Sequence, residues 1–285
     1  MNVLAIASIT VREVVRRRLV VALLVLTVAA IAFTGWGFSR LPGIHNRDGS
    51  LISAADVIVV SSQLLIFVFF MFSAVLGLGA VMVSAQSVSA EIESGQALAV
   101  LARPVRRADV IVGKWCGLAV LVVAYAVAAS AIELAVVDWA TGYVPPHPVA
   151  AAAFVAGEGL VLLSLTLLFS VRLSGMTAGV VALMLFFITW IAGVAGAVGT
   201  ALNNAPIEAT GTISRLLLPS DGLWRGAVFN LEPETLVAVA SGSREAAANP
   251  FTSLSAPAGA YLGWTAAWVV AMVALTILTF RHREI

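Results

Sequence analysis

Two carboxylates, Glu133 and Glu158, lie inside long apolar runs of this 285-residue chain. An ionisable side chain in such a run serves as a proton or cation relay, or as a polar contact for cargo. Asp138 lies near the first of them. Both glutamates fall toward one end of their runs, away from the centre, where a charge costs most. The plainer expectation is therefore a pair of carboxylates at headgroup depth, or bonded to serines such as Ser130 or Ser164. No ladder of acids crosses the runs, which counts against a proton-driven carrier. Other reactive chemistry is scarce. Cys116 is the lone cysteine, so no intramolecular disulfide can form. His45, His147 and His282 are scattered, and with one cysteine they make no metal site. Neither H-E-x-x-H nor G-x-S-x-G occurs. Gly113-Lys114 is followed by Trp115, and Ala108 stands where a phosphate-binding loop needs its first glycine, so the chain has no P-loop.

The elements that carry these residues are apolar almost throughout. The chain is 61% hydrophobic and 11% charged, with a mean hydropathy of +1.03. Such a composition cannot cover a core with polar surface, so its outside must face lipid. The net charge of +1 gives no field to draw nucleic acid. A bilayer core of about 30 Å needs roughly 20 apolar residues in a helix. Six runs meet this, at 19–38, 57–84, 115–137, 151–171, 176–199 and 259–280. The backbone must bond internally in lipid, so they are helices. The expectation is one all-α integral membrane domain over 1–285. A loop at 85–114 joins spans two and three, and a long loop spans 200–258. Basic residues divide eleven against five between the two sides. The richer side, with Arg12, Arg16, Arg17, Arg18, Arg103, Arg106, Arg107 and Lys114, is expected to be cytoplasmic. Six spans then put both termini there, in the plasma (inner) membrane. A basic stretch before the first run, with Ala30-Ile31-Ala32, has the look of a cleavable signal. The run continues to Phe38, however, and reads as an anchor.

The flanks add detail. Residues 2–17 form an amphipathic helix at the interface, with Leu4, Ala7, Val11, Val14 and Val15 on one face and Ser8, Arg12, Glu13 and Arg16 on another. Glu13 and Arg17 make a favourable i,i+4 pair. The long loop holds ISRLLLPSDGLWRGAVF (213–229), broken at Pro219. Short helices on or dipping into the outer leaflet are expected, with Trp224 and Arg225 at an interface position. Gly175 and Gly179 make a G-x-x-x-G. Gly193, Gly196 and Gly199 recur every third position, and both patterns suit either close helix packing or a composition rich in alanine and glycine that scatters such pairs by chance.

The most informative stretch is SAEIESGQALAVLARPVRRADVIVGKW (89–115). Glu91 and Glu93 leave the membrane on a helix. Gly95 permits a stop. Leu98 and Leu101 are exposed unless something covers them. Pro104 breaks the path, and Arg103, Arg106 and Arg107 hold it on the cytoplasmic side. Asp109 can cap the next helix. The stretch reads as a short apolar docking knob or as an ordinary basic cytoplasmic loop, which the arginine cluster alone would justify.

This stretch resembles the corresponding loop of ABC-2 type transporter permeases. The matching positions are Glu91 or Glu93, Gly95, Leu101, Pro104-Val105-Arg106-Arg107 and Gly113-Lys114. VREVVRRR (11–18) is similar to that family's amphipathic first helix. LLLPSDGLWR (216–225) resembles the branch of permeases for multi-copper enzyme maturation. Gln96 stands where the family has Thr. The resemblance implies a permease subunit of an ABC exporter, without its own nucleotide-binding domain and not itself an enzyme. It implies a dimer with a second permease copy or homologue, and separate cytoplasmic ATPase subunits that hold ATP and Mg. Those subunits would push on the loop and on the first helix, including Arg12, Glu13, Arg16 and Arg17. A stand-alone secondary carrier, or a membrane enzyme or scaffold, is the alternative.

Overall fold

The computed structural model describes residues 3–45, 50–93, 106–240 and 249–283. Among them are ten α-helices: α1 (Val3–Val15), α2 (Arg18–Arg40), α3 (Ala54–Glu93), α4 (Arg107–Thr141), α5 (Pro148–Ser170), α6 (Gly175–Ala201), α7 (Ala205–Leu217), α8 (Ser220–Leu231), α9 (Glu234–Ala240) and α10 (Gly259–Arg281). Apart from a 3-10 turn at Leu41–Gly43 and an isolated bridge between His45 and Leu51, they carry all the regular structure of the described residues. Six of them, α2 to α6 and α10, are long and apolar enough to cross a membrane. The chain is an all-α integral membrane protein.

The reason is visible in the exposed surface. Val21, Val25, Val28 and Phe33 of α2, Met184, Ile188 and Ile191 of α6, and Val270 and Leu278 of α10 all point outward. In water such a surface would aggregate; in hydrocarbon it is the correct solvent match. The interior is built on α3 and α5, which bury Leu65, Ile66, Phe69 and Phe72 against Ala151, Val155 and Ala156.

The helices outrun the apolar runs. With 40 residues α3 is about 60 Å long, and α4 with 35 is about 52 Å. A hydrocarbon core of about 30 Å leaves a turn or more of each outside it. Much of the stretch expected as a loop at 85–114 is therefore helix, up to Glu93 and again from Arg107. Helix α4 starts after Arg106 in extended conformation, without a side-chain cap. Asp109 is not its cap but an acid in the first turn, where the helix dipole favours it.

Both termini lie at one end of the bundle, the proximal end, where Arg107 donates to the backbone carbonyls of Phe280, Arg281 and Arg283. At the distal end α7 and α8 do more than lie on the surface. Helices α7 and α8 form a hairpin that folds back into the bundle, with its break at Leu218-Pro219. Leu218 is extended, as a residue before proline prefers. The descending arm α7 runs along α6 so closely that a Cβ on Gly196 would meet the Gly211 backbone at 2.6 Å. The returning arm α8 is almost entirely buried. Trp224 is 2% exposed and packs edge-on against Phe70 of α3 at 5.3 Å. It is a core residue, not the interfacial anchor its type suggests.

Candidate functional site

The proximal end brings four elements together around α4. Its Gly113 and Gly117 are one turn apart, and α1 lies in the groove they leave. A Cβ on Gly113 would strike Ile6 at 2.6 Å, and one on Gly117 would strike the Ala7 carbonyl at 2.7 Å. Helix α1 accordingly buries Ile6, Thr10 and Val14 against α4. Of the expected apolar face only Val14 is buried in the bundle; Leu4 and Val15 are exposed and Ala7 and Val11 half-buried. The polar face is as expected: Arg12, Glu13 and Arg16 are exposed. Arg17 pairs with Glu13 at 2.5 Å and reaches Gln86 of α3 at 3.0 Å.

Lys114, between the two glycines, points the other way. It is 6% exposed, donates to the Ser87 carbonyl, and pairs with Glu91 at 2.7 Å. A buried ammonium is tolerable only with such partners. It joins the last turns of α3 to the first turns of α4 across the segment 94–105. Beneath it, Val88, Ile111, Leu167, Val171 and Phe280 form one apolar cluster from α3, α4, α5, the turn after α5, and α10. Arg107 closes the end of α10, with its guanidinium 5.9 Å from the Phe280 ring. A cation at a helix C-terminus meets unpaired carbonyls and the negative end of the dipole. The family-matched positions Glu91, Arg106 and Arg107 thus flank this junction, and Glu93 is the last helical residue of α3. Gly95, Leu98, Leu101, Arg103 and Pro104 lie outside the described residues. Sequence reasoning missed the Gly113–Gly117 pair, though its i,i+4 spacing is readable in GKWCG.

Gly175 and Gly179 are indeed a packing face. The first faces Ser89 and Ala85 of α3, the second Ala85 and Val81. The buried carboxylates are separate from the junction and from each other. Thr34 of α2 donates to Glu133 at 3.1 Å, while the other oxygen, Oε1, has no partner among the described residues. Ser73 of α3 donates to Glu158. Ser164 is engaged elsewhere, by the Leu160 carbonyl and the Trp115 indole. Because α5 begins at Pro148, Glu158 stands at its midpoint, not toward its end. Ser73 is likewise at the middle of α3.

At the distal end a charged clasp holds the hairpin. Asp221, 2% exposed, pairs with Arg215 at 2.6 Å and Arg225 at 3.3 Å. The carboxylate fills the space over Gly193, where any Cβ would overlap it, and Arg225 also donates to the Gly193 carbonyl at 3.1 Å. Gly199 admits the backbone at Glu208 in the same way. From α10, Trp264, Trp268 and Tyr261 donate to the carbonyls of Leu216, Leu217 and Pro219. The carbonyls of Leu216 and Leu217 are acceptors that the end of α7 leaves without intrahelical donors.

A family model described as ABC-2 family transporter protein matches residues 4–285. Comparison with curated proteins gives no match. A match over nearly the whole chain shows that this protein belongs to the ABC-2 transporter family, as a membrane permease component of an ABC transporter.

Proposed function

We propose that this chain is the permease subunit of an exporter in the plasma membrane. It works as a dimer and is driven by separate ATPase subunits that bind ATP and Mg at the proximal, cytoplasmic end. The observation that carries this reading is the junction at Lys114. A partner that grips residues 91–107 would pull on α3 and α4 together, because Lys114 ties them and the shared apolar cluster backs the tie. Helix α1 would move with them through Gly113 and Gly117. Helix α3 is one unbroken rod, so a displacement at its proximal end reaches Phe70 and, through it, Trp224 in the hairpin. Release of cargo outward would follow from that hairpin's movement. Glu133, with an unpartnered oxygen, is the better placed of the two buried acids to touch cargo.

The orientation rests on the basic asymmetry. In a Cys116-free background, cysteines at Asn46 and Ser243 should react with an impermeant reagent from outside, and one at Ser94 should not. Coupling is tested with L98D and L101D together. Left uncovered, each leucine forgoes roughly 1.5–3 kcal/mol of burial. The double variant should insert and fold, yet lose co-purification with the ATPase or uncouple hydrolysis from transport. Wild-type behaviour in both assays would move the contact to α1. One observation favours the alternative of a stand-alone carrier, the midpoint position of Glu158. Gradient-driven transport by the isolated chain, lost in E158Q, would replace the present reading.

A further inference from the structure

The clasp that holds the hairpin has more positive charge than it uses. Two guanidiniums, both permanently ionised, share one carboxylate. Each spends its Nε on Asp221 and one terminal nitrogen on the Gly193 carbonyl. The remaining terminal nitrogen, Nη1, of both arginines has no hydrogen-bond partner among the described residues. Arg215 and Arg225 are only 28% and 17% exposed, so bulk water does little to screen the surplus.

Both arginines line a cavity of about 460 Å³ bounded by α6, α7, α8 and the 252–258 segment before α10. It is not an apolar void. Thr200, Thr212, Thr252, Ser253 and Ser255 are among its lining residues, and Tyr261 forms part of its wall. The other charged lining group is Glu208, two turns before Arg215 on α7. Glu208 is exposed and makes no ion pair with either arginine. Outside this wall α7 shows Ile213, Leu216 and Leu217 to the surroundings, so the cavity lies directly beside lipid-facing surface.

We propose that this distal cavity binds a phosphate-class anion, held by the free Nη1 groups of Arg215 and Arg225 and by the Thr212 hydroxyl. Guanidinium forks fit phosphate oxygens, and charge-assisted bonds in a partly desolvated site are the strong ones. The anion supplies a second direct negative partner for the arginine pair, which is ion-paired to Asp221 and not to Glu208. It also braces α7 against α8 on the side opposite Asp221. The phosphate belongs to a lipid headgroup, whose chains would lie along Leu216 and Leu217, or to a free anion entering from the distal surface. Binding at this site does not depend on the direction of transport.

The full chain, in a phosphate-free non-ionic detergent such as dodecyl maltoside, should be titrated with phosphatidylglycerol in one arm and inorganic phosphate in the other. Binding is followed by native mass spectrometry and by the unfolding temperature. Wild type should retain phosphatidylglycerol, phosphate or both, and the arm that responds names the source. T212W, which fills the cavity without touching the clasp, should weaken binding about tenfold, the worth of one lost charge-assisted bond. E208Q removes a repelling charge at the mouth and should tighten binding, an effect that a purely structural clasp would not show. R225Q should weaken binding at least as much as T212W, provided it keeps a cooperative unfolding transition. A cavity holding only water, with no response to either probe, overturns the proposal. So does equal binding by wild type, T212W and E208Q.

Discussion

The two ends of the bundle are fastened differently. At the proximal end the ties are long flexible side chains: Arg17 to Glu13 and Gln86, Arg107 to the last carbonyls of α10, and the buried Lys114 to a Glu91 that is 28% exposed. The exposed Arg17–Glu13 pair is worth little by itself and can re-form in a new arrangement. At the distal end the hairpin is gripped by a carboxylate with almost no exposure, by glycine-mediated backbone contact with α6, and by three aromatic donors from α10. Those contacts have few alternatives. The end proposed to receive force is therefore adjustable, and the end proposed to respond to it moves as one block.

Breaking the distal clasp should have the largest effect. D221N leaves two guanidiniums facing each other with no counter-charge. Removing one partner from a buried ionic group typically costs about 3–5 kcal/mol. The unfolding temperature of D221N should therefore fall below those of G117L and E232Q. Adding R225Q to D221N should restore part of the loss, because it removes one of the two uncompensated charges. A wild-type melting temperature for D221N would erase the contrast between the two ends. A smaller effect is expected at the proximal end. G117L forces α1 off α4, an overpacking that costs about 1–3 kcal/mol. Helix α1 is at the edge of the bundle and can swing away, so the loss should fall on position more than on stability. In a Cys116-free background, a cysteine at Ile6, which is buried, should become reactive toward a thiol reagent in G117L. If it stays protected, α1 is held by more than the two glycines.

What is legible in the residues follows the strength of the physical constraint. Lipid tolerates only long apolar helices, so the six spans are visible in composition alone. Pro219 marks the hairpin tip because no helix passes a proline after an extended residue. The glycine rows of α6 are visible as packing faces, but not what they pack against. The amphipathic pattern shows which residues of α1 are apolar, but not that the groove at Gly113 and Gly117 takes up Ile6, Thr10 and Val14. Residue type alone does not place Trp224, since a tryptophan beside an arginine suits an interface and a buried hairpin equally. Glu158 looks peripheral in sequence only because three helical residues, Pro148 to Ala150, precede its apolar run.

The smallest expected effect sharpens the picture of the distal end. Glu232 follows α8 and is buried beside the segment that leads into α10. It accepts from the Ser253 amide at 3.2 Å. Burial pushes its carboxyl up to about 7, partly offset by the bonds from Ser253 and Thr252. Tyr143 faces it from the turn before α5, donating to the Leu231 carbonyl at 2.5 Å. Its own hydroxyl is raised by burial first and by Glu232 second. A carboxyl raised in the folded state favours folding when protonated. That contribution is complete below the unfolded carboxylate value and is lost as pH climbs through about 7. The unfolding temperature of the wild type should therefore fall by a few degrees between pH 5 and pH 8 on account of this group. E232Q keeps a neutral group in the same place and should remove that part of the slope. The difference between the two curves isolates Glu232 from every other titrating group. Superimposed curves would mean that Glu232 titrates as if in water and that the segment before α10 is not sealed. A wild type that gains stability relative to E232Q as pH rises would mean that Ser253 and Thr252 hold the charged form. The distal end would then be stabilised by a second buried charge besides Asp221.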